Sequence, residues 1–112
     1  MTVVRIKWDG GVLDMSVSGH AGYGPKGSDI VCAAISMLTQ TLAASLEHAN
    51  ENGALRRYRC RMQEGNVQIA AQVPPRYRKY VNGMMEMVTV GFQMLEEQYP
   101  EYVNTNMDNR PP

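Results

Sequence analysis

From Thr2 to Trp8 the chain alternates. Val4, Ile6 and Trp8 fall on one side, Val3, Arg5 and Lys7 on the other, which is the period of a strand buried on one face. Asp9-Gly10-Gly11 interrupts the pattern as a hairpin turn, because glycine accepts the positive φ that tight hairpins require. Alternation resumes over Val12 to about Gly19, with Leu13, Met15 and Val17 facing the core. His20 continues the polar side. From about Asp29 the period lengthens to that of a helix reaching Asn50, its buried stripe formed by Val31, Ile35 (with Ala34), Leu38, Leu42, Leu46 and Ala49. Ser28 or Asp29 can cap its free first-turn amides, and Asn52-Gly53 ends it.

The order strand, strand, helix then occurs again. In Ala54 to Met62, Tyr58, Cys60 and Met62 share one face and Arg57, Arg59 and Arg61 the other, which predicts a core position for Cys60. Glu64-Gly65-Asn66 turns the chain, and Val67, Ile69, Ala71 and Val73 line the inner face of a fourth strand. Pro74-Pro75 can open a second helix, where a missing N–H costs little. That helix is expected from about Arg76 to Tyr99, stopping before Pro100. Val81, Met84 or Met85, Val88, Phe92 and Leu95 suffice to pack it, while Tyr80, Met87, Gly91 and Met94 widen its apolar surface. A broad core face accounts for the excess, and so does a protein partner, most simply a second copy of the chain. The pattern thus predicts an α+β fold of two layers: a four-stranded, mainly antiparallel sheet carrying two helices. Residues 1–100 form a single domain in this reading, and 101–112 a loose polar tail.

With 112 residues, the chain has room for one ordinary domain and not two. Its 11 basic and 11 acidic residues cancel, so no overall field selects nucleic acid or membrane. The basic residues nevertheless cluster in the middle, from Arg56 to Lys79. The first residues alternate like a strand and hold no apolar signal region, and no apolar run approaches a membrane span. A cytoplasmic protein with free thiols is therefore expected. Cys32 and Cys60 fit neither a redox pair nor a zinc ligand set, and no metal site is anticipated.

The chemistry-bearing stretch is Gly19 to Ser36. His20 stands at the entry to a loop, Ala21 to Ser28, containing Gly22, Gly24, Gly27 and Pro25, and Cys32 follows in the first turn of the helix. A helix N-terminus and a neighbouring imidazole both favour a thiolate. In this arrangement His20 serves Cys32 as base and then the leaving amine as acid. First-turn amides would stabilise the oxyanion, and the glycine-rich loop would close over an extended peptide. Asp29 acts either as the helix cap or as the group that orients His20. Ser36, one turn after Cys32, back-bonds within the helix or lies beside the thiol. His48 falls where it can interact with the helix C-terminus. The loop lacks the Gly-Lys-Ser/Thr ending of a phosphate cradle.

Gly19-His20, a glycine-containing loop, and then Asp29-Ile30-Val31-Cys32-Ala33-Ala34-Ile35-Ser36 resemble the signature of the bacterial ribosomal-processing cysteine protease family, Prp. The order of strands and helices is similar over about Thr2 to Tyr99. The resemblance implies a small α+β homodimer that removes a short N-terminal extension from the precursor of large-subunit ribosomal protein number twenty-seven. It implies that His20 and Cys32 are catalytic, that Asp29 and Ser36 support them, and that no cofactor, membrane or nucleic acid is required. Two rivals stand beside this reading: a non-catalytic module in which Arg57, Arg59 and Arg61, with Arg76, Arg78 and Lys79 nearby, bind ribosomal RNA through phosphates, and a thioesterase-like acyl-transfer enzyme using the same His20–Cys32 pair.

Overall fold

The hairpin expected at the N-terminus forms as β1, Thr2–Trp8, and β2, Val12–Ser18, paired antiparallel from Val3↔Ser18 to Trp8↔Leu13. In this computed structural model, which describes residues 1–109, the turn is held by Asp9. Its carboxylate accepts the N–H groups of Gly11 and Val12 at 2.8 and 2.7 Å. Those bonds, the one from Gly11 foremost, hold its pKa below the usual aspartate value. Helix α1 spans Ile30–Glu51. Strands β3, Arg56–Gln63, and β4, Asn66–Gln72, follow as a second hairpin. A single 3-10 turn, Pro75–Tyr77, leads into helix α2, Arg78–Gln98.

A fifth strand, β5 (Val103–Asn109), corrects the expectation of a loose tail. It lies parallel to β1, from Thr2↔Val103 to Trp8↔Asn109, and gives a mixed sheet of order β3-β4-β2-β1-β5. Its alternation is carried by Val103, Thr105 and Met107, too polar a set to announce a strand. What holds it is the ladder with β1 and a brace from α2, where Glu96 accepts the Thr105 N–H at 3.0 Å and the Thr105 hydroxyl. Residues 110–112 lie outside the described residues.

Both helices cover one face of the sheet. The largest fully buried side chains come from that face and from the helix stripes, among them Ile6, Leu13, Met15, Ile69, Leu46, Met85 and Phe92. By length and composition α1 is apolar enough to cross a membrane, with mean hydropathy 1.5 over 18 residues. That exceeds the sequence expectation, and the reason is local: Val31, Ile35, Leu42, Leu46 and Ala49 are core residues facing the sheet. The Cys60 expectation is corrected too. It shares a side with Ile69, its partner on β4, yet is exposed, because β3 is an edge strand that α1 barely covers. Tyr58, half-buried, reaches under α1 to donate to the Ala43 carbonyl at 3.3 Å. Its burial first, and Cys60 beside it second, push its pKa upward.

The β5 pairing has a direct test. Val103 is fully buried, so Val103→Ala should cost about 2 kcal/mol from lost methyl burial and the cavity left behind. A lower urea midpoint with unchanged slope is the expected result. A loose tail would show no change.

Candidate functional site at the head of helix α1

Asp29 accepts four backbone hydrogen bonds. One carboxylate oxygen takes the N–H groups of Val31 and Cys32 at 3.0 and 2.9 Å, which caps α1. The other takes those of Tyr23 and Gly24 at 2.9 and 3.1 Å, which folds the preceding loop back onto the helix. The side chain is buried. The bond from Cys32 is the largest cause of a pKa held below the ordinary value of 3.8, opposed by desolvation and reinforced by Gly24 and Tyr23. Asp29 is therefore a cap and a loop anchor. The carboxylate spends its acceptors on amides, and no hydrogen bond joins it to His20 among the described residues.

The same geometry corrects the expected oxyanion donors. The amides of Val31 and Cys32 are already engaged by Asp29, and the positive end of the helix dipole is occupied by its carboxylate. The amide that points at the sulfur belongs to the loop: the Ala21 N–H donates to Cys32 Sγ at 3.4 Å. Ala21 is buried, and Cys32 is half-buried. The loop is tied down at further points. Ser28 donates its N–H and hydroxyl to the Pro25 carbonyl. Tyr23 packs edge-on against Tyr99 and Tyr102, with ring centroids 5.4 and 5.2 Å away. Lys26 pairs with Glu64 on the β3–β4 turn at 2.9 Å.

His20 reaches the site by a route that strand parity does not describe. Gly19 ends β2 with φ +86, so the alternation stops one residue before the histidine. The Gly19 N–H donates to the Gly65 carbonyl at 2.9 Å, pinning the chain against the β3–β4 turn. The His20 ring then lies over Gly65: a Cβ added there would stand 2.9 Å from His20 Nε2, and Gly65 itself has φ +74. His20 and Cys32 line one cleft of about 650 Å³, with Asp29 at its head, Ser36 exposed one turn along α1, and Gly22, Gly24 and Gly27 along the loop. Every predicted site residue thus borders one space. Among the described residues, no group of three or more His, Cys, Asp or Glu side chains is arranged to hold a metal ion.

Glu64 and Gly65 lie outside the stretch singled out from the sequence, and Ala21 and Lys26, within its loop, make contacts the sequence did not indicate. Glu64 lies beside Lys26 and near the His20 ring. Its hydrogen bond to Lys26 chiefly holds its pKa down. The turn signal at Glu64-Gly65-Asn66 was legible, but its position under His20 depends on β2–β4 pairing across some 45 residues of sequence.

Two outcomes are expected. Gly65→Ala meets a positive φ and the imidazole ring together, so it should displace His20; with His20 as the base expected for Cys32, turnover should fall by about 10²-fold, with KM changed far less than kcat. Asp29 acts on stability through its protons. Its pKa is lowered on folding, so between that value and about 3.9 the unfolded chain binds more protons and stability rises with pH. The contribution is complete above this window and is lost as pH falls through the folded value. Asp29→Asn should therefore lower the urea midpoint at neutral pH, and the gap from the parent should narrow below pH 3.8.

Residues 1–104 match the family described as cysteine protease Prp. Among solved structures, the essential ribosomal processing protease Prp from S. aureus, crystallised with a covalently linked product peptide, aligns with TM-score 0.72 and 26% identity over 96% of this chain and 99% of that one. A protein from Streptococcus mutans aligns with TM-score 0.71 and 25% identity over 98% and 96%. The S. aureus protease with a substrate peptide gives TM-score 0.65 at 24% identity, over 96% and 99%. No curated protein sequence matches the chain. The family match runs from the first residue of β1 into β5 and takes in the whole cleft, so this chain belongs to the Prp family of cysteine proteases.

Proposed function

We propose that this cysteine protease removes the N-terminal extension of a ribosomal protein precursor in the cytoplasm, with large-subunit ribosomal protein number twenty-seven as substrate, and that His20 and Cys32 perform the chemistry. The observation that carries this reading is that the two side chains open into one cleft, the sulfur at the head of α1 and the imidazole over the β3–β4 turn. The likeness to a ribosomal processing protease with peptide bound supports the substrate class.

In this mechanism His20 takes the proton from Cys32 Sγ, and the thiolate attacks the scissile carbonyl carbon. The carbonyl π electrons move to oxygen, next to loop amides such as that of Ala21, which is held close to the sulfur. Collapse re-forms the carbonyl and expels the amine, which takes the proton from His20, leaving an acyl-thioester. Water, deprotonated by His20, attacks the thioester and returns the free thiol. An extended peptide enters between the loop and the β3–β4 turn, past the exposed Lys26–Glu64 pair. That pair is exposed and screened by solvent, so substrate can part it.

The proposed unit is a homodimer. Tyr80, Met87, Val90 and Met94 lie exposed along the outer side of α2, with Met87 79% accessible. Such a stripe of large apolar side chains is commonly covered by a partner.

Incubation with the extended precursor and mass analysis of the products tests the activity. Cys32→Ala and His20→Ala should each reduce cleavage by roughly 10⁴-fold or more, while Cys60→Ala, altering an exposed residue, should retain it. Processing by Cys32→Ala at the parent rate would overturn the mechanism. In sedimentation the chain should run at twice its 12.5 kDa mass, and Met87→Glu should shift it towards monomer.

A further inference from the structure

The face of the sheet opposite the helices collects cations that are far apart in sequence. Strict alternation along β3 would separate Arg56 from Arg59 and Arg61. The register shows otherwise: Arg56 pairs with Gln72 and Arg59 with Ala70, so three steps on β3 oppose two on β4. This is a β-bulge, with Arg57 at φ 52. It brings Arg56 to the side of Arg59 and Arg61, opposite the core side of Ile69 and Ala71. Two strands away from β4, Arg5 and Lys7 stand on the same open face of β1. All five cationic side chains are exposed. Among the described side chains, the acidic residue that register places on this face is Asp14, opposite Lys7. A chain with no net charge therefore presents one predominantly basic face.

The arrangement has a shape as well as a sign. The two cation rows, on β1 and β3, are three strand spacings apart, roughly 14 Å. Between them runs a trough of short or neutral groups: Ser16, Gln68 and Ala70, with Asp14 at one end. Among the described residues, no aromatic side chain shares the face. Trp8 is buried on the helix side, and Tyr58 reaches α1. A sheet that reads single strands stacks bases on aromatics, and this one offers none. Paired phosphate tracks with hydroxyls between them are the chemistry of an A-form duplex seen from its shallow minor groove.

We propose that the open sheet face docks double-stranded RNA through its phosphates and 2′-hydroxyls, without reading sequence. Arg5 and Lys7 meet one phosphate track, and Arg56, Arg59 and Arg61 meet the other, with Ser16 and Gln68 facing the hydroxyls between. The cleft lies beyond the ends of β2 and β4 on the helix side, and the α2 stripe is on the helix layer, so the RNA face is free in the proposed dimer and during catalysis. The inference does not depend on the peptidase residues, and it places the protease on structured RNA where a nascent RNA-binding protein would be met.

Fluorescence anisotropy with a labelled RNA duplex of about 16 base pairs tests it on the full chain. About four phosphate contacts should weaken binding by roughly 10²-fold between about 50 and 200 mM salt. Arg59→Gln/Arg61→Gln should lower affinity by at least tenfold and reduce the slope of log affinity against log salt by about two, while peptide cleavage stays at the parent rate. Cys32→Ala should bind RNA as the parent does, which separates failure of this inference from failure of the peptidase assignment. Absence of binding at the low salt, an affinity unchanged by the double substitution, or equal affinity for single-stranded RNA or polyglutamate would each overturn the proposal.

Discussion

The carboxylate of Asp29 is the constraint on which the site depends. Four backbone amides converge on it, two from the helix and two from the loop. A single buried side chain thereby sets where α1 begins and how the loop before it is folded. Both consequences bear on Cys32. Its N–H is bound by Asp29, and its sulfur receives the amide of Ala21, a residue placed by the same loop. The helix end is a natural host for a carboxylate, and its amides are consequently unavailable to a reaction intermediate. In the proposed mechanism oxyanion stabilisation therefore falls to the loop rather than the helix, which would tie chemistry to loop conformation.

The second fixed point is the contact between Gly19 and Gly65. β2 and β4 pair along their full lengths, and the hydrogen bond between these glycines extends that register by one step. Both residues have positive φ, and both sit where a side chain would collide: Gly19 against the Met1 carbonyl, Gly65 against His20. The imidazole is located by backbone on one side and by an absent side chain on the other. The His20 ring placed this way owes its position to the sheet, whereas the loop opposite it is held by one aspartate, one exposed ion pair and the edges of three tyrosine rings. The cleft therefore has one rigid wall, of sheet and helix, and one lighter wall.

Charge is organised on the same scaffold. The helix layer holds Glu47, Glu51, Glu86, Glu96 and Glu97 against Arg78 and Lys79, and the open sheet face holds Arg5, Lys7, Arg56, Arg59 and Arg61 against Asp14. Zero net charge conceals this division, because composition sums over directions that the sheet separates. The bulge at Arg57 sharpens it by turning Arg56 to the basic side, at the cost of a backbone conformation that non-glycine residues seldom adopt.

Local pattern determined a good deal of this protein by itself. The period of two in β1, β2 and β4, the helical period after Asp29 and the turn residues between them specify the α+β class, both helices and most of the core, because these signals need only neighbours along the chain. The His20-loop-Cys32 stretch was legible for the same reason, as was a cap at Ser28 or Asp29; the choice of Asp29 came from the folded loop and helix. Tertiary structure decided the rest. The strand at Val103 is polar in sequence and exists because β1 had a free edge to pair. Cys60 has the alternation of a core residue and is exposed, because β3 lies at the edge, where helix cover runs out. The place of Gly65 beneath His20, the pairing of Lys26 with Glu64 and the meeting of Arg5 with Arg61 on one face all join segments tens of residues apart. Alternation says which way a side chain points from its own strand; only the register between strands says what it meets there.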